Sequence, residues 1–270
     1  MTSAEITAFT GSIRSVVAGH PTPDRWSPGS ACDDVVPALQ RQLAAAGWYD
    51  LAQSAHALPF VGPAAAELGR GLVALRELDT LLGGSPLASG LTRYATAGEL
   101  AVLPSPGGVR RVPISAADCV PYGDCIGTRR ASTAPGDPRQ QEQVGPLAER
   151  AWIAATVGYL AGLTSAALQL ALTHANNREA FGAPLSSLVS VQQRLAGAAL
   201  IADSLSLLAG AEPGADALSY AGPASCAALR DCHQVVGAIG FTLEYPLQRY
   251  SRRARTIQLW ADAWISCRCG

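Results

Sequence analysis

The stretch from Ala151 to Asn177 contains no charged residue, and this limits what the chain can fold into. About 20 apolar residues can cross a bilayer as a helix, so the stretch must lie in a membrane or inside a protein core. It is rich in Ala, Gly, Ser and Thr and includes Gln169 and His174, which makes it weakly hydrophobic on an insertion scale. Arg150 and Arg178 flank its two ends and give no orientation signal. We therefore predict the central helix of a soluble bundle and no membrane span.

Helical patterns continue through the second half of the chain. Apolar residues recur three or four positions apart at about 147–178, 187–210, 214–237 and 246–264. Such stripes must be buried against one another, and an up-down bundle with short loops achieves this. The sequence therefore predicts a mainly α fold with a C-terminal four-helix bundle over 147–270.

The first half of the chain divides into helices and a smaller β-rich part. Helical spacing of apolar residues predicts an N-terminal helical region over 1–88. Between 89 and 131 the apolar runs become shorter and are separated by turn residues, which predicts a reduced β region. Residues 132–146 begin with a polar stretch containing proline and glycine, and they are predicted to form a linker.

The chain has no lysine, because all 20 of its basic residues are arginine. Pyridoxal enzymes, P-loop NTPases, protein kinases and serine–lysine hydrolases all need a lysine, so these classes are excluded. A net charge of −1 argues against a nucleic-acid-binding protein. The cluster of Arg249, Arg252, Arg253 and Arg255 is interpreted as a solvated or ion-paired surface.

The cysteines and histidines do not form a metal-site pattern. Seven cysteines are scattered without a CxxC pair, and the four histidines lie in unrelated segments. We therefore expect neither a zinc site nor a disulfide framework. The first residues, MTSAEITAF, lack the basic start and apolar run of a secretory signal, so a cytoplasmic location is expected.

Two segments stand out as candidates for ligand binding. The first is REAFG, from Arg178 to Gly182, directly after the long uncharged helix. The second runs from Gln234 to Arg255, where a helix ends in a glycine-containing turn and another begins near Pro246. Helix ends offer unpaired N–H groups, glycine allows close backbone approach, and arginine neutralises phosphate. Together these features could hold a diphosphate.

The order and spacing of these segments resemble the acyl-CoA dehydrogenase family. Its C-terminal bundle carries an RxxFG motif after the first long helix and a later QxxGGxGxxxEYP segment that leads into an R(D/R)A helix. The matching residues here are Arg178, Phe181, Gly182, Gln234, Gly237, Gly240, Glu244, Tyr245, Pro246, Arg252, Arg253 and Ala254. The resemblance covers about 147–260, and the stretch AAELGRGL at 65–72 adds a weaker one to the family's N-terminal helices.

The resemblance implies a fold, a cofactor and an oligomer. The family has N-terminal helices, a middle β domain and a C-terminal bundle, and FAD lies between the β domain and the bundle with a neighbouring subunit completing the site. By this resemblance Arg178, Phe181, Gln234 and the turn at Gly237 and Gly240 would contact the adenosine diphosphate part of FAD. The implied substrate is an acyl thioester of coenzyme A or a carrier protein. The implied partner is another copy or an acyl-CoA dehydrogenase homologue.

The expected catalytic carboxylate is missing from both positions where the family places it. The reaction needs a base that removes the α-proton of the thioester while hydride leaves the β-carbon. One family position corresponds to Ala261, with Asp262 next to it, and the other corresponds to Trp152, with Glu149 one turn away. Glu149 and Asp262 are therefore the candidate catalytic residues. The region before the bundle is also short and has no counterpart of the family's TEPxxGSD stretch.

Three functional hypotheses follow. The chain is an FAD-dependent acyl-thioester dehydrogenase with a displaced base, acting with a partner subunit. Alternatively it is the non-catalytic subunit of a hetero-oligomeric dehydrogenase, or a flavin-independent scaffold or cyclase of the same fold.

Overall fold

The computed structural model describes residues 2–20, 36–88, 91–92, 98–114, 120–121, 129–130 and 142–269. Most of the predicted linker, through residue 141, lies outside the described residues.

Short helices form the N-terminal region, as the sequence predicts. They are α1 (Ser3–Ala18), α2 (Pro37–Ala45), α3 (Leu58–Arg70) and the single turn α4 (Arg76–Asp79), with 3-10 turns at Trp48–Gln53, Ala55–Ala57 and Thr80–Leu82. A capping box begins α1, because the Thr2 side chain accepts from the backbone N–H of Glu5 and the Glu5 carboxylate accepts from the Thr2 N–H.

A small sheet follows. Its strands are β1 (Ser85–Ala88), β2 (Leu91–Thr92), β3 (Leu100–Ser105), β4 (Gly108–Pro113), β5 (Val120–Pro121), β6 (Arg129–Arg130) and β7 (Glu142–Gln143), in the spatial order β5-β6-β2-β1-β3-β4-β7. The hairpin of β3 and β4 pairs Ser105 with Gly108 and turns at the predicted proline–glycine signal. The sheet takes in β1 and β7, so it includes residues on both sides of 89–131.

Four long helices form the C-terminal half and confirm the predicted bundle. They are α5 (Pro146–Asn177), α6 (Val189–Gly210), α7 (Ala215–Val236) and α8 (Leu247–Cys269). Short connections make neighbouring helices antiparallel: Arg194 near the start of α6 pairs with Asp231 near the end of α7. A two-stranded hairpin, β8 (Glu179–Ala180) and β9 (Ala183–Pro184), joins α5 to α6.

The helix α5 is the core helix of the bundle. It is long and apolar enough to cross a membrane, but 83% of its most apolar 18-residue window is buried inside the protein. Burial by α3, α6 and α7 explains why the helix can lack charge without a membrane around it.

Glycines bring α3 and α5 into backbone contact. A Cβ added at Gly158 would overlap the Gly62 carbonyl oxygen, and one at Gly162 would overlap the Ala66 carbonyl oxygen. Only glycine fits at such a crossing, since any side chain would meet the opposing backbone. This contact fixes the N-terminal helices on the bundle.

Candidate functional site

The two sequence motifs meet at one end of the bundle. The up-down connections place the end of α5, the start of α6, the end of α7 and the start of α8 at this end. Tyr245, after α7, donates its hydroxyl hydrogen bond to the Leu170 carbonyl oxygen at 3.3 Å and packs edge-on against His174, both on α5. The segment after α7 is therefore anchored to the last turns of α5. We call this region the motif end of the bundle.

The REAFG motif forms the hairpin between α5 and α6. Its tip is a tight turn in which Phe181 and Gly182 both have positive φ, 57° and 80°. The Arg178 carbonyl oxygen accepts from the Leu185 N–H at 2.8 Å, which closes the hairpin. The turn leaves the Phe181 side chain 95% exposed.

The two glycines of the second motif have different roles. Gly237 ends α7 with φ of 77°, and a Cβ there would point into open space, so the backbone is accessible. Gly240 is buried, and a Cβ there would lie 3.1 Å from His233 Nδ1 and from a Val236 methyl group. Gly237 therefore allows ligand approach, whereas Gly240 allows internal packing.

The donors at the motif end suit a diphosphate. Arg178 and Gln234 are exposed, and neither side chain forms an ion pair or hydrogen bond with the part of the chain that the structure describes. One guanidinium, one amide and an open glycine backbone match the charge and the acceptor oxygens of a diphosphate. The residues present thus fit the adenosine diphosphate part of FAD.

The usual base positions lie at the opposite end of the bundle. Trp152 is buried, packs against Trp264 with ring centroids 4.6 Å apart, and donates its Nε1–H to Asp79 Oδ1 at 3.1 Å. Ala261 is also buried. Trp152 precedes Arg178 by 26 residues of one helix, a separation of about 40 Å at about 1.5 Å per residue.

The two candidate carboxylates are in different surroundings. Glu149 is largely buried and pairs with Arg268 across 3.1 Å, while Arg268 also donates to the Ser105 carbonyl oxygen at 2.6 Å. Asp262 is exposed on α8. Both belong to the end that is remote from Arg178, so one chain does not bring the candidate base and the diphosphate donors together.

Sequence reasoning missed a pocket of about 340 Å³ between α7 and α8. Arg252 and Arg255, interpreted from sequence as a solvated or ion-paired surface, line it. The one sequence feature that pointed to this pocket was the cluster of arginines at the end of the second motif. Only the packing of α7 against α8 shows which of these arginines line a common cavity.

No protein-family model matches the chain. Among curated proteins, the short-chain specific mitochondrial acyl-CoA dehydrogenase of Bos taurus is 34% identical over 111 residues, which cover 37% of this chain and 27% of that protein. The Rattus norvegicus protein of the same name is 33% identical over 111 residues. The chain thus spans about a quarter of the length of the curated relatives that it matches.

Solved structures match almost the whole chain. The ChsE4-ChsE5 complex from Mycobacterium tuberculosis matches with a TM-score of 0.64 at 15% identity, covering 99% of this chain and 96% of that chain. A glutaryl-CoA dehydrogenase from Mycobacterium smegmatis in complex with FADH2 matches with a TM-score of 0.67 at 14% identity, covering 99% and 94%. The chain has an acyl-CoA dehydrogenase-like fold.

The acyl-CoA dehydrogenase-like fold accounts for the arrangement of helices, sheet and bundle. It also confirms the fold class predicted from the two motifs. The positions predicted for cofactor contact and for catalysis remain predictions.

Proposed function

We propose that this chain is a subunit of a hetero-oligomeric, FAD-dependent acyl-CoA dehydrogenase whose partner subunit supplies the catalytic base. The observation that carries the proposal is the contrast between the two ends of α5. The motif end presents exposed diphosphate donors, whereas the remote end holds a buried tryptophan and a buried alanine at the base positions.

The chemistry of the reaction makes this contrast important. A base must hold an unshared electron pair near the α-carbon of the thioester, and neither the Trp152 indole nor the Ala261 methyl group can accept a proton there. FAD, when bound, accepts the hydride that leaves the β-carbon. A chain without a carboxylate at these positions can still bind and orient the cofactor for a partner.

The residues that would hold FAD are Arg178, Gln234 and the backbone at Gly237. Arg178 contributes charge and two parallel donors to the diphosphate, and Gln234 contributes an amide donor. Phe181 would pack against the adenosine part. The separation of about 40 Å between Arg178 and Trp152 along α5 supports a site shared between subunits, in which the reacting end of such a cofactor lies on another subunit.

Exposed apolar side chains at the motif end support the presence of another subunit. Phe181, Ile239, Phe241 and Leu243 are all exposed there. Several large apolar side chains exposed at one end of a bundle favour a protein interface there. The ChsE4-ChsE5 structure is itself a complex of two differently named chains, which gives a precedent within this fold.

We also propose a cytoplasmic location, because the scattered cysteines do not form the pattern of a disulfide framework.

A second role, in which this chain supplies the base itself, rests on Glu149 and Asp262. Glu149 is adjacent to the sheet through Arg268, but its carboxylate is already engaged by the Arg268 guanidinium at 3.1 Å. Asp262 is exposed, where water competes for it.

The two roles differ in the effect of removing these carboxylates. We expect Glu149→Gln and Asp262→Asn, each in the complex with the partner, to leave the rate of flavin bleaching by the partner's acyl-CoA substrate within about twofold of wild type, because the partner supplies the base. Loss of the base itself would slow the reaction by roughly 10²–10⁴-fold. The measurement is anaerobic stopped-flow absorbance. Loss of bleaching in either variant would assign the base to this chain and overturn the non-catalytic role.

A further inference from the structure

The pocket between α7 and α8 is unusually rich in arginine. Arg230 on α7 and Arg252 and Arg255 on α8 line it, and no carboxylate is found among the described residues that do so. The nearby Asp231 is engaged by Arg194 at 2.7 Å. Three guanidinium groups around one cavity of about 340 Å³ create a site that favours an anion.

A buried amide without a partner lies in the same pocket. Gln248 is only 5% exposed, and both its side-chain nitrogen and its oxygen lack a hydrogen-bond partner among the described residues. Burying a polar group unpaired costs free energy, so such groups in proteins normally meet a protein, water or ligand atom. An amide that lines a cavity can offer one donor side and one acceptor side to a ligand.

An aromatic and apolar wall completes the pocket. Phe241 stacks on the His233 ring at a centroid distance of 4.3 Å and an angle of 24°, and the Phe241 ring remains 66% exposed. His233 is fixed from the other side by Ser251, whose oxygen lies 2.5 Å from Nε2. Leu229 adds a buried apolar surface. A rigid ring at the mouth of a cationic pocket suits a flat ligand group.

We propose that this pocket binds a small organic phosphate that carries a flat, hydrogen-bonding ring, of about the size of a nucleoside monophosphate. The phosphate lies among Arg230, Arg252 and Arg255, the ring lies against Phe241, and the ring edge meets the Gln248 amide. The site goes beyond the proposed function, because the FAD donors Arg178 and Gln234 are not among its lining residues.

Isothermal titration of the full chain tests the site, with AMP as the probe. We expect saturable AMP binding, and binding at least about tenfold weaker for adenosine, ribose 5-phosphate and inorganic phosphate, because each offers only part of the required contacts. Arg230→Gln and Arg255→Gln should each weaken AMP binding by about tenfold or more, since charge-assisted bonds to phosphate are lost. Arg41→Gln, which changes an exposed arginine on α2, is the matched control and should bind AMP like wild type.

Two further variants distinguish binding in this pocket from binding at the FAD donors. Gln248→Leu should keep or raise the melting temperature, because an unpaired amide is removed, and should weaken AMP binding. Arg178→Ala should leave AMP affinity unchanged. The proposal is overturned if AMP does not bind, if Arg230→Gln or Gln248→Leu binds AMP as wild type does, or if inorganic phosphate binds as tightly as AMP. It is also overturned if Arg178→Ala weakens AMP binding as much as Arg230→Gln, which would place AMP at the FAD donors instead.

Discussion

Arg178 is the residue on which the proposed cofactor contact depends most. Its guanidinium is exposed at the motif end and forms no ion pair with a described residue, so its removal leaves no buried partner unpaired. We expect Arg178→Ala in the complex to weaken FAD retention by about 1.5 to 3 kcal/mol, the range for a hydrogen bond to a charged group, without lowering the melting temperature. Flavin fluorescence released during dialysis measures the retention.

Arg41→Ala provides the control for Arg178→Ala, since it removes an exposed arginine from α2. Equal FAD retention in the two variants would contradict the role given to Arg178.

The reactivity of two cysteine thiols, Cys232 and Cys267, tests the packing of α7 residue by residue. Burial, helped by the charge of Asp231, raises the pKa of the Cys232 thiol to about 12. Cys267 is exposed on α8. Because the thiolate is the reactive form, iodoacetamide at a pH of about 8 should modify Cys267 in the native chain and Cys232 only after unfolding. Peptide mass spectrometry resolves the two sites, and native modification of Cys232 would contradict the packing of α7.

The sequence could predict which residues of the motifs are exposed but not all of their roles. The exposure of Arg178 follows from its position at a helix end, and the open backbone at Gly237 follows from a glycine just past a helix. Gly240 is buried against His233, and Trp152 is packed on Trp264, which lies 112 residues away in the chain. Contacts between distant segments leave no local pattern to interpret.

At the scale of elements, the crossing of α3 and α5 is the contact most sensitive to size. We expect Gly158→Ala to lower the free energy of unfolding by about 1 to 3 kcal/mol, because the added methyl group would overlap the Gly62 carbonyl oxygen. Urea unfolding followed by circular dichroism measures this change.

A second glycine-to-alanine variant, at a glycine with open space around it, is the control for Gly158→Ala. Gly197 on α6 has nothing within 4 Å of an added Cβ, so Gly197→Ala should keep or raise stability by up to about 1 kcal/mol through helix propensity. If Gly158→Ala were as stable as Gly197→Ala, the close crossing of α3 and α5 would be wrong.

The helices themselves were predictable because apolar spacing is a local signal. The four bundle helices begin and end within a few residues of the predicted positions, apart from α8, which continues to Cys269. The crossing of α3 and α5 was not predictable. From sequence alone, a glycine inside a helix indicates only lower helix propensity, and its role in packing shows only when the backbone opposite it is known.

At the scale of the whole molecule, the proposed function gives the two ends of the bundle separate roles. The sequence predicted the bundle and both motifs, and it predicted that the usual base positions lack a carboxylate. It could not predict that Trp152 lies about 40 Å from Arg178, because that distance depends on α5 being one unbroken helix. This separation supports the proposal that a second subunit completes the site.

The flavin content of the purified chain, alone and in complex, tests the central claim most directly. The chain is expressed alone and with a full-length acyl-CoA dehydrogenase homologue from the same genome, and the flavin absorbance in the visible range is compared with protein concentration. We expect the chain alone to remain colourless after FAD is added and removed, and the co-purified complex to be yellow and bleached by acyl-CoA. A chain that alone retains FAD, and whose flavin is bleached by acyl-CoA, would contradict the assignment of the base to a partner subunit.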